Sequence, residues 1–174
     1  IEQGYQVVLV DRDQAAVTAL AQSLGDKATG WVLDITNGAM VDQLPQCLPE
    51  GFRDIDVLVN NAGHDIGGRK RFDVGSSDDW ADIIQTNLIG LMRVTRSVLP
   101  GMVTRNRGDI VNMGSISALR MVPDMAPYSA SKAGVHMLSD IIRGELAQTP
   151  IRVTEILPGL TRTGIVRTRY RGGI

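Results

Sequence analysis

The stretch GDIVNMGSISALRMVPDMAPYSASKAGVHMLSDIIRGELAQTPIRVTEILPG, residues 108–159, decides how the chain is built. It opens on a short apolar run (108–115) and closes on another (151–159), which Pro158 and Gly159 terminate. Such runs, rich in β-branched residues and bounded by Gly and Pro, read as buried strands. Between them, residues 127–148 read as one long helix. Strand, crossover helix and strand together make a parallel pair with a right-handed connection. Inside the helix, Tyr128 and Lys132 stand four residues apart and so share a face. An ammonium beside a phenol favours the phenolate, so the pair is either acid–base machinery or a chance pairing on a helix surface.

The same alternation runs back to the start of the chain. Residues 5–10 (YQVVLV) read as a strand, 13–25 as a helix with a Gly stop, and 30–34 (GWVLD) as a second strand. Residues 37–48 read as a helix that Pro45 should shorten or disturb. A third strand spans 54–63 (DIDVLVNNAG) and runs into Gly63. Residues 76–105 read as a long helix, opened by a capping arrangement of Ser76 with Asp79. Pro100 is expected to kink that helix or break it in two. Short apolar strands alternating with helices imply a parallel sheet covered on both faces, an α/β doubly wound fold in three layers. No internal repeat, low-complexity tract or linker divides the 174 residues, which read as a single domain.

Composition excludes several classes. Net charge is −1, so no strong field draws nucleic acid or anionic lipid. The basic clusters, GRKR at 68–71 and Arg167, Arg169 and Arg171, read as solvated loop charge. No apolar run reaches the roughly 18–20 residues of a membrane span. A single cysteine, Cys47, permits neither an internal disulfide nor a zinc set, and a reducing cytoplasm fits that usage. A serine hydrolase would need a nucleophile elbow, and GSISA at 114–118 is not G-x-S-x-G.

In a doubly wound sheet, ligands gather at the carboxyl ends of the strands. Asp11, Asp34, Asn60 to Gly63, Ser115 and Pro158–Gly159 all stand at such ends, and Tyr128 opens the helix after the fourth strand. NNAG (60–63), TN (86–87), GS (114–115), YSASK (128–132) and PGLTRT (158–163), in this order, resemble the short-chain dehydrogenase/reductase family over nearly the whole chain. Y-x-x-x-K alone is a weak signal, whereas the ordered set, with Ser115 thirteen residues before Tyr128, is a strong one.

The resemblance implies a Rossmann-like sheet and an NAD(P)-dependent oxidoreductase acting on CH–OH groups. It implies a catalytic set of Asn87, Ser115, Tyr128 and Lys132. Tyr128 would move the proton to or from the substrate oxygen. Lys132 would lower the tyrosine pKa and hold the nicotinamide ribose, Ser115 would hydrogen-bond the substrate oxygen, and Asn87 would hold a relay water. Asp11, Asp34, Ile35, Asn61, Ala62, Gly63, Pro158, Gly159 and Thr163 would line the dinucleotide along with Tyr128 and Lys132, and Asn60 would tie neighbouring strands. A carboxylate at Asp11 accepts ribose hydroxyls and repels a 2′-phosphate, which favours NAD, while Arg12 beside it leaves NADP open. Thr161 stands where the family often has valine.

The family's opening strand and glycine-rich turn do not occur in residues 1–174. The expectation is a chain cut short at its N-terminus and again after PGLTRT, with exposed edges on the strands at 6–10 and 55–60. Substrates expected from the resemblance are small 3-hydroxy acids or serine-like compounds, with 3-oxoacyl-carrier-protein reductase or sugar-alcohol dehydrogenase as the alternative. Arg69, Lys70 and Arg71 would favour an anion, and His64 and Arg120 are candidates for the substrate pocket. Outside enzymes, a catalytically silent dinucleotide-binding regulator or a structural subunit shares the fold. The helices at 76–105 and 127–148 resemble those that pair between subunits, implying a homotetramer or homodimer.

Overall fold

The computed structural model describes residues 4–161 and Ile165. The elements are β1 (Val7–Asp11), α1 (Gln14–Leu24), β2 (Ala28–Val32), α2 (Gly38–Cys47), β3 (Val57–Asn60), α3 (Ser77–Ile84), a π-helical segment (Gln85–Gly90), α4 (Leu91–Arg105), β4 (Asp109–Met113), α5 (Ala126–Glu145) and β5 (Arg152–Ile156). Short 3₁₀ turns at Gly25–Lys27, Glu50–Phe52 and Ile116–Ala118 fill connections that the sequence reading left as loops.

Every strand pairing is parallel, in the α/β alternation expected. The strands form two sheets, β1–β2 and β3–β4–β5. Among the described residues β1 and β3 are each paired on one side only. What joins the sheets is side-chain packing. Leu33, Val41, Leu44, Leu48 and Val94 form a buried cluster that takes in Val8 of β1 and Leu58 of β3. A second cluster, built on Val98, Met102, Ile110, Ile142 and Val153, fixes α4 and α5 to the three-stranded sheet. Parallel sheets need such cover because both of their faces are apolar.

The helix starts follow local chemistry. Asp13, Asn37 and Ser76 cap α1, α2 and α3 by accepting from the backbone N–H of Ala16 (3.0 Å), Met40 (3.2 Å) and Asp79 (3.3 Å). The cap expected at Ser76 is therefore present.

Neither proline breaks its helix. Pro45 lies inside α2 and does not end it. A proline at 45 leaves the Val41 carbonyl without its helical donor, and the Ser97 hydroxyl of α4 donates to that oxygen at 2.8 Å. The gap in the ladder becomes a tie between two helices. Pro100 also sits inside an unbroken α4, on an exposed position where water can satisfy the orphaned carbonyl. The irregularity in the 76–105 helix lies earlier, at the π-helical Gln85–Gly90.

Candidate active site

The carboxyl ends of β3 and β4, the π-helical segment and the first turns of α5 converge. Tyr128 and Lys132 face the same way: Nζ lies 5.8 Å from the centre of the phenol ring. Lys132 is 5% exposed, and burial pushes its ammonium down to about 8, partly offset by the Glu155 carboxylate. Nζ donates to the Met113 carbonyl at 2.7 Å, which ties α5 to the end of β4. An ammonium has three donors, so this bond leaves two for a ligand.

Asn87 lies fully buried on the π-helical segment. Its Oδ1 accepts from the His64 N–H at 2.8 Å, and its Nδ2 donates to the His64 carbonyl at 2.9 Å and to Ser131 Oγ at 3.1 Å. Ser131 Oγ in turn donates to the Tyr128 carbonyl at 2.7 Å. Asn87 thus fastens the loop after β3 to the first turn of α5. A π-helical turn inserts one residue and re-aims its neighbours, and such turns concentrate at functional sites.

Ser115 follows β4 and caps a 3₁₀ turn, so that its Oγ accepts from Ser117 N–H (3.2 Å) and from Ser117 Oγ (2.9 Å). A hydroxyl has two acceptor sites and one donor. With both acceptors held, its hydrogen is left to donate to another group. The segment that follows β5 closes onto this turn, for Ile116 N–H donates to the Pro158 carbonyl at 3.2 Å.

Asn60 does tie strands together. Its Nδ2 donates to Asn112 Oδ1 and to Thr95 Oγ1, each at 2.9 Å, and Asn112 Nδ2 donates to Ser139 Oγ at 2.9 Å. The network joins β3, β4, α4 and α5 beneath the site. Sequence reasoning missed Asn112, Thr95 and Ser139. The available signal was Asn112 itself, a polar residue interrupting the apolar run of β4.

The remaining expected residues fall around this centre. Asn61, Ala62 and Gly63 form an exposed rim after β3. A methyl group at Gly63 would come within 3.0 Å of Asn87 Oδ1 and 3.7 Å of Lys132 Nζ, so a side chain there would press on Asn87 and narrow the approach to Lys132. Asp11 ends β1 exposed, with Oδ1 accepting from Asp13 N–H at 3.0 Å. Asp34 Oδ1 takes the N–H and hydroxyl of Thr36 (2.9 and 2.7 Å), and these bonds, with the positive charge of Arg12, hold its pKa below the usual carboxylate value. Ile35 packs against the buried cluster and against Gly90, which reduces what it can offer a ligand. Gly159 is exposed at the rim with Pro158 beside it. Thr163 and the arginines at 167, 169 and 171 lie outside the described residues.

His64 does not open into a pocket, and the basic loop is solvated. His64 is 9% exposed and turns toward α3, 3.3 Å from Thr86 Oγ1 and 3.4 Å from Asp82 Oδ2. Lys70, Arg71, Phe72, Met121 and Val122 line a cavity of about 370 Å³ beside Ser129. Arg71 is held by Asp73, and Asp124 lines the same cavity, so its charges nearly cancel and it is no strong anion trap. Arg120 lies exposed outside that lining.

The residues present fit the nicotinamide–ribose end of a dinucleotide: a cation with two spare donors, a glycine rim that lets a ligand approach closely, and a hydroxyl with its donor unused. Among the described residues, no group of three or more His, Cys, Asp or Glu is placed to hold a metal ion. No described helix is long and apolar enough to cross a membrane.

Comparison with known proteins agrees with this geometry. The model of a family described as short chain dehydrogenase matches residues 1–172. An NADP-dependent 3-hydroxy acid dehydrogenase of Salmonella typhi is 40% identical over 173 residues, covering 99% of this chain and 69% of that protein. The closed form of a serine dehydrogenase complexed with NADP⁺ superposes with a TM-score of 0.93 at 38% identity, covering 97% of this chain and 68% of that one. An NAD⁺-bound xylitol dehydrogenase gives a TM-score of 0.88 at 32% identity, covering 95% of this chain and 64% of that one.

Proposed function

The chain belongs to the short-chain dehydrogenase family, and from that premise we propose that it interconverts the hydroxyl and carbonyl of a small 3-hydroxy acid, serine among them, with Tyr128 as the proton-transferring group. It is a nicotinamide-dependent oxidoreductase acting on hydroxyl groups. The cofactor, when bound, supplies the hydride acceptor or donor. The single observation that carries the assignment of Tyr128 is Lys132 Nζ standing 5.8 Å from the Tyr128 ring centre on one helix face.

The chain's own residues then divide the work. Ser115, its lone pairs held by Ser117, donates to the substrate oxygen and fixes it near Tyr128. Lys132 keeps a positive charge beside the phenol, which stabilises the phenolate that accepts the proton during alcohol oxidation. Its spare donors hold ribose hydroxyls at the Gly63 rim. Asn87, anchored by His64 and Ser131, holds that rim and the first turn of α5 at a fixed separation. The acid substrate rests on kinship, since the charges around the cavity at Lys70 and Arg71 nearly cancel.

The choice of dinucleotide turns on two neighbours of opposite charge. Two of the compared proteins are named for NADP and one is bound to NAD⁺. Asp11 disfavours a 2′-phosphate, while Arg12, whose charge reaches both Asp34 and His64, attracts one. The relatives named for NADP weigh the choice toward NADP rather than the NAD that Asp11 favours. The two long helical regions, with Met92, Met137 and Ile141 exposed, supply the faces for a homotetramer or homodimer.

The test is Tyr128→Phe. General acid–base catalysis contributes about 10²–10⁴-fold, so kcat for hydroxy-acid oxidation should fall by that range while cofactor Kd stays within about threefold. Turnover above a tenth of wild type would remove Tyr128 from the mechanism.

A further inference from the structure

One turn beyond Lys132 on the same face of α5 stands His136, and below both lies a buried carboxylate that the proton-transfer scheme does not use. Glu155 sits on β5 opposite Asn112 of β4, with its side chain 5% exposed. Its Oε2 is 2.6 Å from His136 Nδ1. Its Oε1 is buried with no hydrogen-bond partner, where a methyl group on Gly114 would approach it to 2.1 Å. A buried carboxylate with one oxygen unmatched is costly, so it persists only where nearby positive charge offsets the loss of water. Two groups able to supply it are at hand: His136, whose pKa the hydrogen bond to Glu155 raises, and Lys132, where the attraction to Glu155 opposes the burial that discharges the ammonium. Gly114 is the residue between Met113, whose carbonyl takes Nζ, and Ser115. Its N–H donates to Ile156 of β5 at 2.9 Å. The carboxylate therefore packs under the segment that carries both the lysine's acceptor and the serine.

We propose that Glu155, held by His136 and packed under Gly114, is a positioning residue that seats the Met113–Ser115 segment, and with it Lys132, for proton transfer. This rests on the reading that Lys132 and Tyr128 perform that transfer. The groups facing Lys132 are Tyr128 on α5, Glu155 on β5, the Met113 carbonyl on β4 and the uncharged Gly63 rim. His136 in turn faces Asp140 and Arg143 on α5 and Glu155 on β5.

The experiment follows Lys132 directly. The chain has three lysines, Lys27, Lys70 and Lys132, so isotope-labelled lysine gives an NMR titration that can be assigned. In Glu155→Gln the Lys132 midpoint should fall by about one pH unit as the opposing charge is lost, with the alkaline limb of kcat/KM moving down beside it. Glu155→Asp, which keeps the charge, should restore most of both, and it carries the test if Glu155→Gln does not fold. A folded Glu155→Gln protein with an unmoved Lys132 midpoint overturns the proposal, because a merely structural ion pair would change only the melting temperature. A midpoint that moves while the pH–rate profile stays fixed shows the coupling to Glu155 but denies Lys132 its part in catalysis, so the reading of the site fails and the positioning role fails with it.

Discussion

At the scale of single residues, two histidines in one chain are pushed in opposite directions by their surroundings. Burial lowers the pKa of His64, with Asp82 pulling back, whereas the hydrogen bond to Glu155 raises that of His136. The consequences for stability have opposite signs. The His136 contribution is full below the unfolded value of about 6.5 and is lost as pH rises through the higher folded value. His64 is buried neutral, so stability is lost as pH falls below about 6.5 toward its lower folded value. The two windows lie on either side of about pH 6.5. His136→Gln removes the upper one, so its melting temperature should fall less than that of wild type as pH rises above about 6.5 and follow the same slope below it. A parallel pair of curves would show that the ion pair adds no proton-linked stability. Asn112 offers a second residue-scale test. Asn112→Ala removes one hydrogen bond each from Asn60 Nδ2, which keeps Thr95, and from Ser139 Oγ, which keeps the Val135 carbonyl, and each lost bond costs about 0.5–1.5 kcal/mol. Urea denaturation should show a loss in that range or above it.

At the scale of elements, the helix ends carry the information. Asn106 ends α4 in the left-handed region at φ 52°, ψ 40°, with its N–H donating back into the last turn. Glycine takes that conformation without strain and β-branched residues do not. Asn106→Gly should therefore leave stability within a few tenths of a kcal/mol, and Asn106→Val should lose about 1 kcal/mol. Equal stability of the two variants in chemical denaturation would count against a cap of this kind. The π-helical Gln85–Gly90 segment is the other decisive element, because it turns Asn87 inward to His64 and Ser131. A regular helix through the same residues would rotate Asn87 off that line. Its polar sequence context gave no warning, since π-turns have no periodic signature of their own.

At the scale of the whole molecule, two sheets are held in one body by packing across α2 and α4. Leu44, 4% exposed, lies in the cluster that reaches Val8 of one sheet and Leu58 of the other. Leu44→Ala should cost about 2–5 kcal/mol, read from the midpoint of thermal or urea unfolding. A loss under 1 kcal/mol would mean that the sheets are joined elsewhere. The sequence by itself determined the parallel alternation of strands and helices, because period and breaker residues are local properties of the chain. It also set the strand-end positions of Asp11, Asn61, Gly63 and Ser115, and the shared face of Tyr128 and Lys132, which four-residue spacing imposes on any helix. Only the tertiary structure decided that Pro45 is tolerated, because the donor that rescues Val41 comes from Ser97 on another helix. It alone placed Glu155 under Gly114 and Asn112 against Asn60. Those contacts join residues 27 to 56 positions apart or lie across paired strands, and no local pattern encodes which buried polar group will meet which partner.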